Sequence, residues 1–324
     1  MNVIRLVALA SALIAPLFVT AVAGAQNYPA KSVRVLVPWP PGGSNDIVAR
    51  ILSQRLSEQL GQTFVVDNRG GASGTIGSES FARTPPDGYT LMVTSATHVA
   101  NPHLYKKLPY DALKDFIGVT PLAIQVGILV IHPSLPVKNV KEFLALAKAR
   151  PGDLIYGSSG NGSYVHLAMA LLNQMAGTRM IHVPYKGGGP AAIGIASGET
   201  QAMIATIGAL LPQINAKQVR PLGVTSPKRV AQFPDVPTIA EAGMPGYDFT
   251  AWVGLFLPAA TPRPVVDRLN GEARKALEHR DVARILTAQT LDPWSITPEQ
   301  FSERLKVDND KYAKLVKLSG ATID

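Results

Sequence analysis

The residues of this chain with the clearest chemical potential are small, neutral and set in glycine-rich loops. Ser44 follows Gly42-Gly43, Ser73 and Thr75 flank Gly74, Ser95 and Thr97 close the run TSAT, and Ser158, Ser159, Asn161 and Ser163 interleave with Gly160 and Gly162. Hydroxyls, a carboxamide and backbone N–H groups are hydrogen-bond partners without a base beside them. Such a set suits reversible recognition of a small anion rather than its conversion. Glycines let the backbone approach a ligand closely, because they carry no Cβ. A helix beginning behind such a loop adds free N–H groups and the positive end of its dipole.

The motifs of covalent and metal chemistry fail. Residues 71–75 read GASGT and residues 157–161 read GSSGN, and each lacks the last glycine of a G-x-S-x-G nucleophile elbow. Gly160-Asn161-Gly162 opens a G-x-G-x-x-G pattern, but Val165 stands where the third glycine is needed, and no Walker A sequence occurs. There is no cysteine, and the histidines at 98, 103, 132, 166, 182 and 279 form no H-E-x-x-H pair or zinc spacing. No catalytic residue, metal or cofactor is therefore expected. His98 and His166 fall in candidate cleft loops, with a structural hydrogen bond as one role and ligand contact as the other. Asp46, in the first turn of a helix, suits capping of free N–H groups. Trp39 lies between two prolines, as the wall or lid of a pocket or as packing at a loop base. Lys186, in PYKGGG, is a solvated turn lysine or the partner of a distal carboxylate.

These loops need elements that bring them together. Residues 33–60 read VRVLVPWPPGGSNDIVARILSQRLSEQL: a β-branched run stops at Pro38, a glycine loop follows, and Val48, Ile51, Leu52, Leu56 and Leu60 then share a helical face. The theme returns at 63–67 before NRGGASGTIG, at 154–157 before SSGNGS, and at 180–183 before PYKGGG; a further strand, 89–94, follows the turn PPDG. Ser163 is a plausible N-cap for a helix over 164–175. The alternation predicts parallel, doubly wound sheets with ligand loops beyond the carboxyl ends of the strands. The apolar run 119–132 is long for one strand, so it is two strands or one crossing between domains; 249–258 is a natural crossing back. Helices at 264–278, 282–288 and 298–318 are expected to wrap the first domain. The fold class expected is α/β: a two-lobed periplasmic binding protein of the type II, Venus-flytrap kind, with two doubly wound sheets joined by extended crossings. Residues 26–126 with 248–324 form one lobe and 127–247 the other.

Composition bounds the compartment. The 324 residues are 46% hydrophobic and 17% charged, with a net charge of +8 dispersed along the chain, which leaves a nucleic-acid partner without support. Arg5, the uncharged stretch 6–22 and Ala23-Gly24-Ala25 make a secretory signal peptide over residues 1–25. Pro16 and the cleavage site set it apart from a membrane anchor, and no later segment reaches the ~18 apolar residues of a spanning helix. The mature chain should begin at Gln26 and be periplasmic. Without disulfides it must rely on its core, which a chain of this length supplies.

Taken in order, YPAKSVRVLVPWPPGGSNDIVAR, NRGGASGTIG, PPDGYTLMV, SSGNGSYVHLA, HVPYKGGGPA and FPDVPTIAEAGMPGY resemble the Bug receptors, the extracytoplasmic solute receptors of tripartite tricarboxylate transporters. The resemblance runs from about residue 28 to the C-terminus. It implies a monomeric binding protein that is not an enzyme, takes a small carboxylic acid and delivers it to the membrane components of such a transporter. By motif, the loops that hold a ligand carboxylate fall on Trp39, Gly42, Gly43 and Ser44 and on Ala72, Ser73 and Gly74. Thr97, Asn161, Gly162 and Ser163 match further pocket positions. Thr206 stands where members often carry an acidic or polar selector, and Thr206-Ile207-Gly208 has no charge for a ligand ammonium group. A non-amino carboxylic acid, apolar or aromatic at its far end, fits better. Two rivals remain: a receptor that presents its ligand to a sensor protein, which the soluble chain does not separate, and a secreted hydrolase, opposed by the missing motifs.

Overall fold

The computed structural model describes residues 28–323, so the expected signal peptide and its cleavage site lie outside the described residues. β1 (Val33–Val37) is the β-branched run, and after the proline–glycine loop comes α1 (Ser44–Leu60). Gly61 ends that helix in the left-handed conformation, φ 67°, which glycine adopts without a Cβ clash. Then follow β2 (Phe64–Asn68), a 3₁₀ turn (Ala72–Gly74), α2 (Thr75–Ala82), β3 (Thr90–Ser95) and α3 (Thr97–Leu104). β4 (Phe116–Gln125) leads to β5 (Gly127–Ile131), α4 (Val140–Ala149), β6 (Ile155–Ser158), α5 (Tyr164–Ala176) and β7 (Ile181–Pro184). α6 (Gly188–Ser197), β8 (Ala202–Thr206), α7 (Ile207–Asn215) and β9 (Arg220–Val224) complete that half. The chain ends with β10 (Ala251–Pro258), α8 (Arg263–Glu278), α9 (Arg280–Ala288), β11 (Leu291–Pro293) and α10 (Pro298–Ser319).

The strands make two sheets, in the orders β11-β4-β10-β3-β1-β2 and β7-β6-β8-β5-β9. β1 pairs in parallel with β2 and β3, and β6 with β7 and β8. The remaining pairs are antiparallel: β10 with β3 and β4, β11 with β4, and β5 with β8 and β9. The two-lobed α/β architecture is therefore present, with sheets that are mixed rather than wholly parallel. The parallel part of each sheet consists of βα units; the antiparallel part comes from strands that cross between lobes. The run 119–132 supplies two strands and a crossing at once, because only Val126 separates β4 in the first sheet from β5 in the second.

Alternation along the strands sends side chains to opposite faces. On the first sheet Val33, Val35 and Val37 join Leu52, Leu91 and Leu269 on one side. Leu36, Met92 and Phe256 turn to the other, where the cluster continues through Trp252, Phe301 and Tyr312 to Leu167, Leu129 and Ile204 of the second lobe. α10 accounts for that continuity. Its start is fixed by a capping box, with Thr297 accepting from the Gln300 N–H and Gln300 accepting from the Thr297 N–H. It packs on α3 and β4 and also on α5, so the last helix bridges both lobes instead of wrapping the first alone.

Candidate functional site

The carboxyl ends of the parallel strands from both sheets open on one cavity of about 840 Å³. Its wall includes Trp39, Gly43, Ser44, Ala72, Ser73, Gly74 and Thr97 from the first lobe and Asn161, Ser163 and Thr206 from the second. Ten of the twelve residues expected at a ligand site thus surround the same space. Gly42 and Gly162 do not line it. The Gly42 N–H already donates to Asp46 Oδ2 at 2.9 Å, and the Gly162 N–H to His166 Nδ1 at 3.1 Å. Each glycine therefore shapes its loop rather than presenting a donor to the cavity.

The first loop is held from behind. Asp46 is buried, and besides Gly42 it accepts from Arg50 Nε at 3.0 Å and Asn68 Nδ2 at 3.0 Å. Burial alone would raise its pKa, but the hydrogen bonds from Arg50, the Gly42 N–H and Asn68 outweigh that and hold the carboxyl below its ordinary value. Asp46 thereby anchors the start of α1, as its position in the first turn suggests. Gly43 is the N-cap, and no side chain caps the helix from that position. The N–H groups of that turn and the helix dipole remain available to an anion. Trp39 is a wall: its Nε1 lies 3.4 Å from Thr94 Oγ1 and its ring backs onto Gly74.

The second loop is strained. Ala72 and Ser73 have φ of 45° and 54°, ahead of Gly74 at 88°, a left-handed run that costs a side-chain-bearing residue of order 1–3 kcal/mol. Its carbonyls are tied down from outside the cavity. Asn101 Nδ2 donates to Ser73 O at 3.1 Å, and Tyr105 OH and Thr75 Oγ1 donate to Ala72 O at 2.7 and 2.8 Å. The Gly74 N–H closes the turn on Gly71 O at 2.9 Å, so Gly74 contributes space rather than a donor. On the opposite wall Ser163 caps α5, accepting from the His166 N–H at 3.2 Å.

The histidines stand elsewhere. His98 is 1% exposed, bonds Ala112 O at 2.9 Å and packs edge-on against Phe116, and burial pushes its pKa down to about 4. His166 stacks on His182 at 3.9 Å, and burial likewise presses both to about 4. Neither His98 nor His166 lines the cavity, and each makes a hydrogen bond within the protein. Lys186 does reach the cavity, from an exposed turn. Among the described residues that line it none is acidic, and Lys186 alone is charged at neutral pH. Residues missing from the sequence-based expectation are Asn45, Gln125 and Tyr164, together with an apolar wall of Val165, Ala192, Met203, Ala205 and Leu210. Asn45 was visible as the residue between Ser44 and Asp46, and Gln125 as a carboxamide interrupting an apolar run.

A family model described as the tripartite tricarboxylate transporter family receptor matches residues 48–320. The chain belongs to that receptor family. Protein BugT of Bordetella pertussis is 34% identical over 325 residues, covering 100% of both chains. Among solved structures, R. palustris Rpa4515 with adipate has a TM-score of 0.84 at 34% identity, covering 91% of this chain and 100% of that one. MatC from Rhodopseudomonas palustris with bound malate gives 0.77 at 31% identity, covering 89% and 100%. The Bug resemblance read from the loops is thus the family that the comparisons return. Among the described residues no helix is long and apolar enough to cross a membrane.

Proposed function

We propose that this chain is an extracytoplasmic solute-binding receptor, not an enzyme, that takes a small non-amino carboxylic acid into the interlobe cavity. The observation that carries this reading is the make-up of the cavity wall. The uncapped start of α1 and the residues Ser44, Ser73 and Thr97 line it, while no acidic side chain awaits an ammonium group. One carboxylate rests on the loops 39–44 and 72–74, and the carbon chain of the acid lies against Val165, Met203, Ala205 and Leu210. The similar proteins solved with adipate and with malate support a carboxylic acid as ligand. Secretion follows from the signal peptide expected over residues 1–25, and delivery to the membrane components of a tripartite tricarboxylate transporter follows from the family. The lobes are residues 26–126 with 248–324 and residues 127–247, and the receptor acts as a monomer. Native mass spectrometry of gently purified protein should show an added mass matching a small organic acid that acid washing removes. Retention of an amino acid instead would overturn the proposed ligand class.

A further inference from the structure

Two carboxamide residues line the cavity while more than nine-tenths buried, and neither makes a side-chain hydrogen bond among the described residues. They are Asn45, 8% exposed, whose Oδ1 is wholly enclosed, and Gln125, 6% exposed, whose amide atoms are not among the enclosed ones. Asn45 stands in the first turn of α1, within the loops assigned to the carboxylate. Gln125 is in a different place. It ends β4, and the order β4-β10-β3-β1 puts three strand spacings, ~14 Å, between its strand and β1. Its polar neighbours on the wall are already satisfied. Ser95 and Thr97 bond each other at 2.6 Å, and the Tyr164 hydroxyl donates to Phe249 O at 2.8 Å. The Gln125 amide therefore has only the cavity to supply its partners, and a polar group enclosed by a ligand without one is unfavourable; nothing in β4 requires an amide there, since Leu122, Ala123 and Val126 around it are apolar and buried. An apolar residue would fill the position without that penalty.

We propose that Gln125 is the specificity-determining residue for the remote end of the bound acid, and that it selects a neutral hydroxyl group there. The inference rests on the receptor reading above. Taking one hydrogen bond of ~2.9 Å from each end of that ~14 Å leaves roughly 8 Å, the reach of an extended chain of about six carbons. A hydroxyl can donate to Oε1 or accept from Nε2, so it engages either end of the amide; a second carboxylate only accepts, and leaves Oε1 facing an anion. Lys186, the cationic alternative, is exposed, and water and salt screen it.

The test is calorimetry with hexanoate, 6-hydroxyhexanoate and adipate on the mature protein and on Gln125→Leu. The parent should bind 6-hydroxyhexanoate about ten-fold more tightly than either of the other two, the worth of one net hydrogen bond. Gln125→Leu should lose that preference while holding hexanoate at least as tightly, with an unchanged or higher thermal midpoint, because no bond within the protein is lost. Gln125→Glu, of the same shape, should instead gain affinity for 6-aminohexanoate. An unchanged preference in Gln125→Leu, an equal loss for all three acids, or adipate binding best to the parent would each overturn this inference while leaving the receptor reading intact. If none of the three acids binds the parent, the receptor reading of the cavity fails and this inference falls with it.

Discussion

A carboxylate held by amides instead of by a cation depends on where the backbone can go, so the most sensitive residue at this site is a glycine. Gly43 has φ −83° and ψ 169°, a conformation open to any residue, and a Cβ added to it would meet nothing nearer than Pro40 O at 4.0 Å. Gly43→Val should therefore fold normally and place its side chain where the anion sits, lowering affinity well beyond ten-fold with little change in thermal midpoint. Lys186→Ala should cost no more than about two- to three-fold, because an exposed charge contributes on the order of 0–1 kcal/mol. Ser73→Ala removes one hydroxyl and should cost on the order of ten-fold. Calorimetry with the co-purified acid ranks the three. Loss of binding in Lys186→Ala with retention in Gly43→Val would mean that an ion pair, not the amide loops, holds the ligand.

Between elements, the seam that responds to acid is the one joining α5 to β6 and β7. His166 lies flat on His182, with their planes 3° apart, and Tyr156 of β6 stacks on His182 in turn at 4.9 Å. Burial presses both imidazoles from 6.5 to about 4, and His98 in the first lobe likewise. The sign follows from linkage. The unfolded chain takes up these protons near pH 6.5, the folded chain only near 4, so stability is full above 6.5 and falls between the two values. The urea midpoint should be markedly lower at pH 5 than at pH 7.5, and His182→Phe should flatten that slope; equal midpoints in the parent would show these rings to be freely protonated. The same elements show what the sequence could reveal. The strand–glycine-loop–helix units were legible because their signals are local: β-branched runs, Pro38, the glycine loops and the Ser163 cap. The run 119–132 left two strands or one crossing open, because both sides of Val126 are apolar. The loss of the Gly42 and Gly74 donors, and the unpaired carboxamides of Asn45 and Gln125, depend on partners that only the folded chain defines. α10 looked like an ordinary amphipathic helix, and nothing in its period says that its apolar residues serve two lobes.

At the scale of the molecule, we propose that the lobes pivot at Val126 and at the approach to β10. A ligand touching both walls binds the closed form better, and only that difference in affinity shifts the equilibrium. Small-angle scattering should show a smaller radius of gyration with saturating acid, and an unchanged radius would count against a hinge. Opening must nevertheless be limited, because the core runs without interruption from Leu36 and Phe256 through Trp252 and Tyr312 to Leu167 and Ile204. The junction is pinned by Asp308 of α10, which is buried and accepts from Trp252 Nε1 and Arg304 Nε at 2.7 Å each. The lobes should therefore unfold together. The protein offers its own probe: the three tryptophans, Trp39, Trp252 and Trp294, all belong to the first sheet or its loops, whereas far-UV circular dichroism reads the helices of both lobes. Urea curves followed by fluorescence and by dichroism should superimpose, and ligand should move both by the same amount. Asp308→Ala leaves the buried Trp252 N–H without its acceptor, a loss of about 1–3 kcal/mol, while Arg304 is exposed enough to be solvated. Because α10 touches both lobes, that loss should appear equally in the two signals. A fluorescence transition that shifts alone, with dichroism following later, would show that the second lobe stands without α10 and that the two halves fold as separate units.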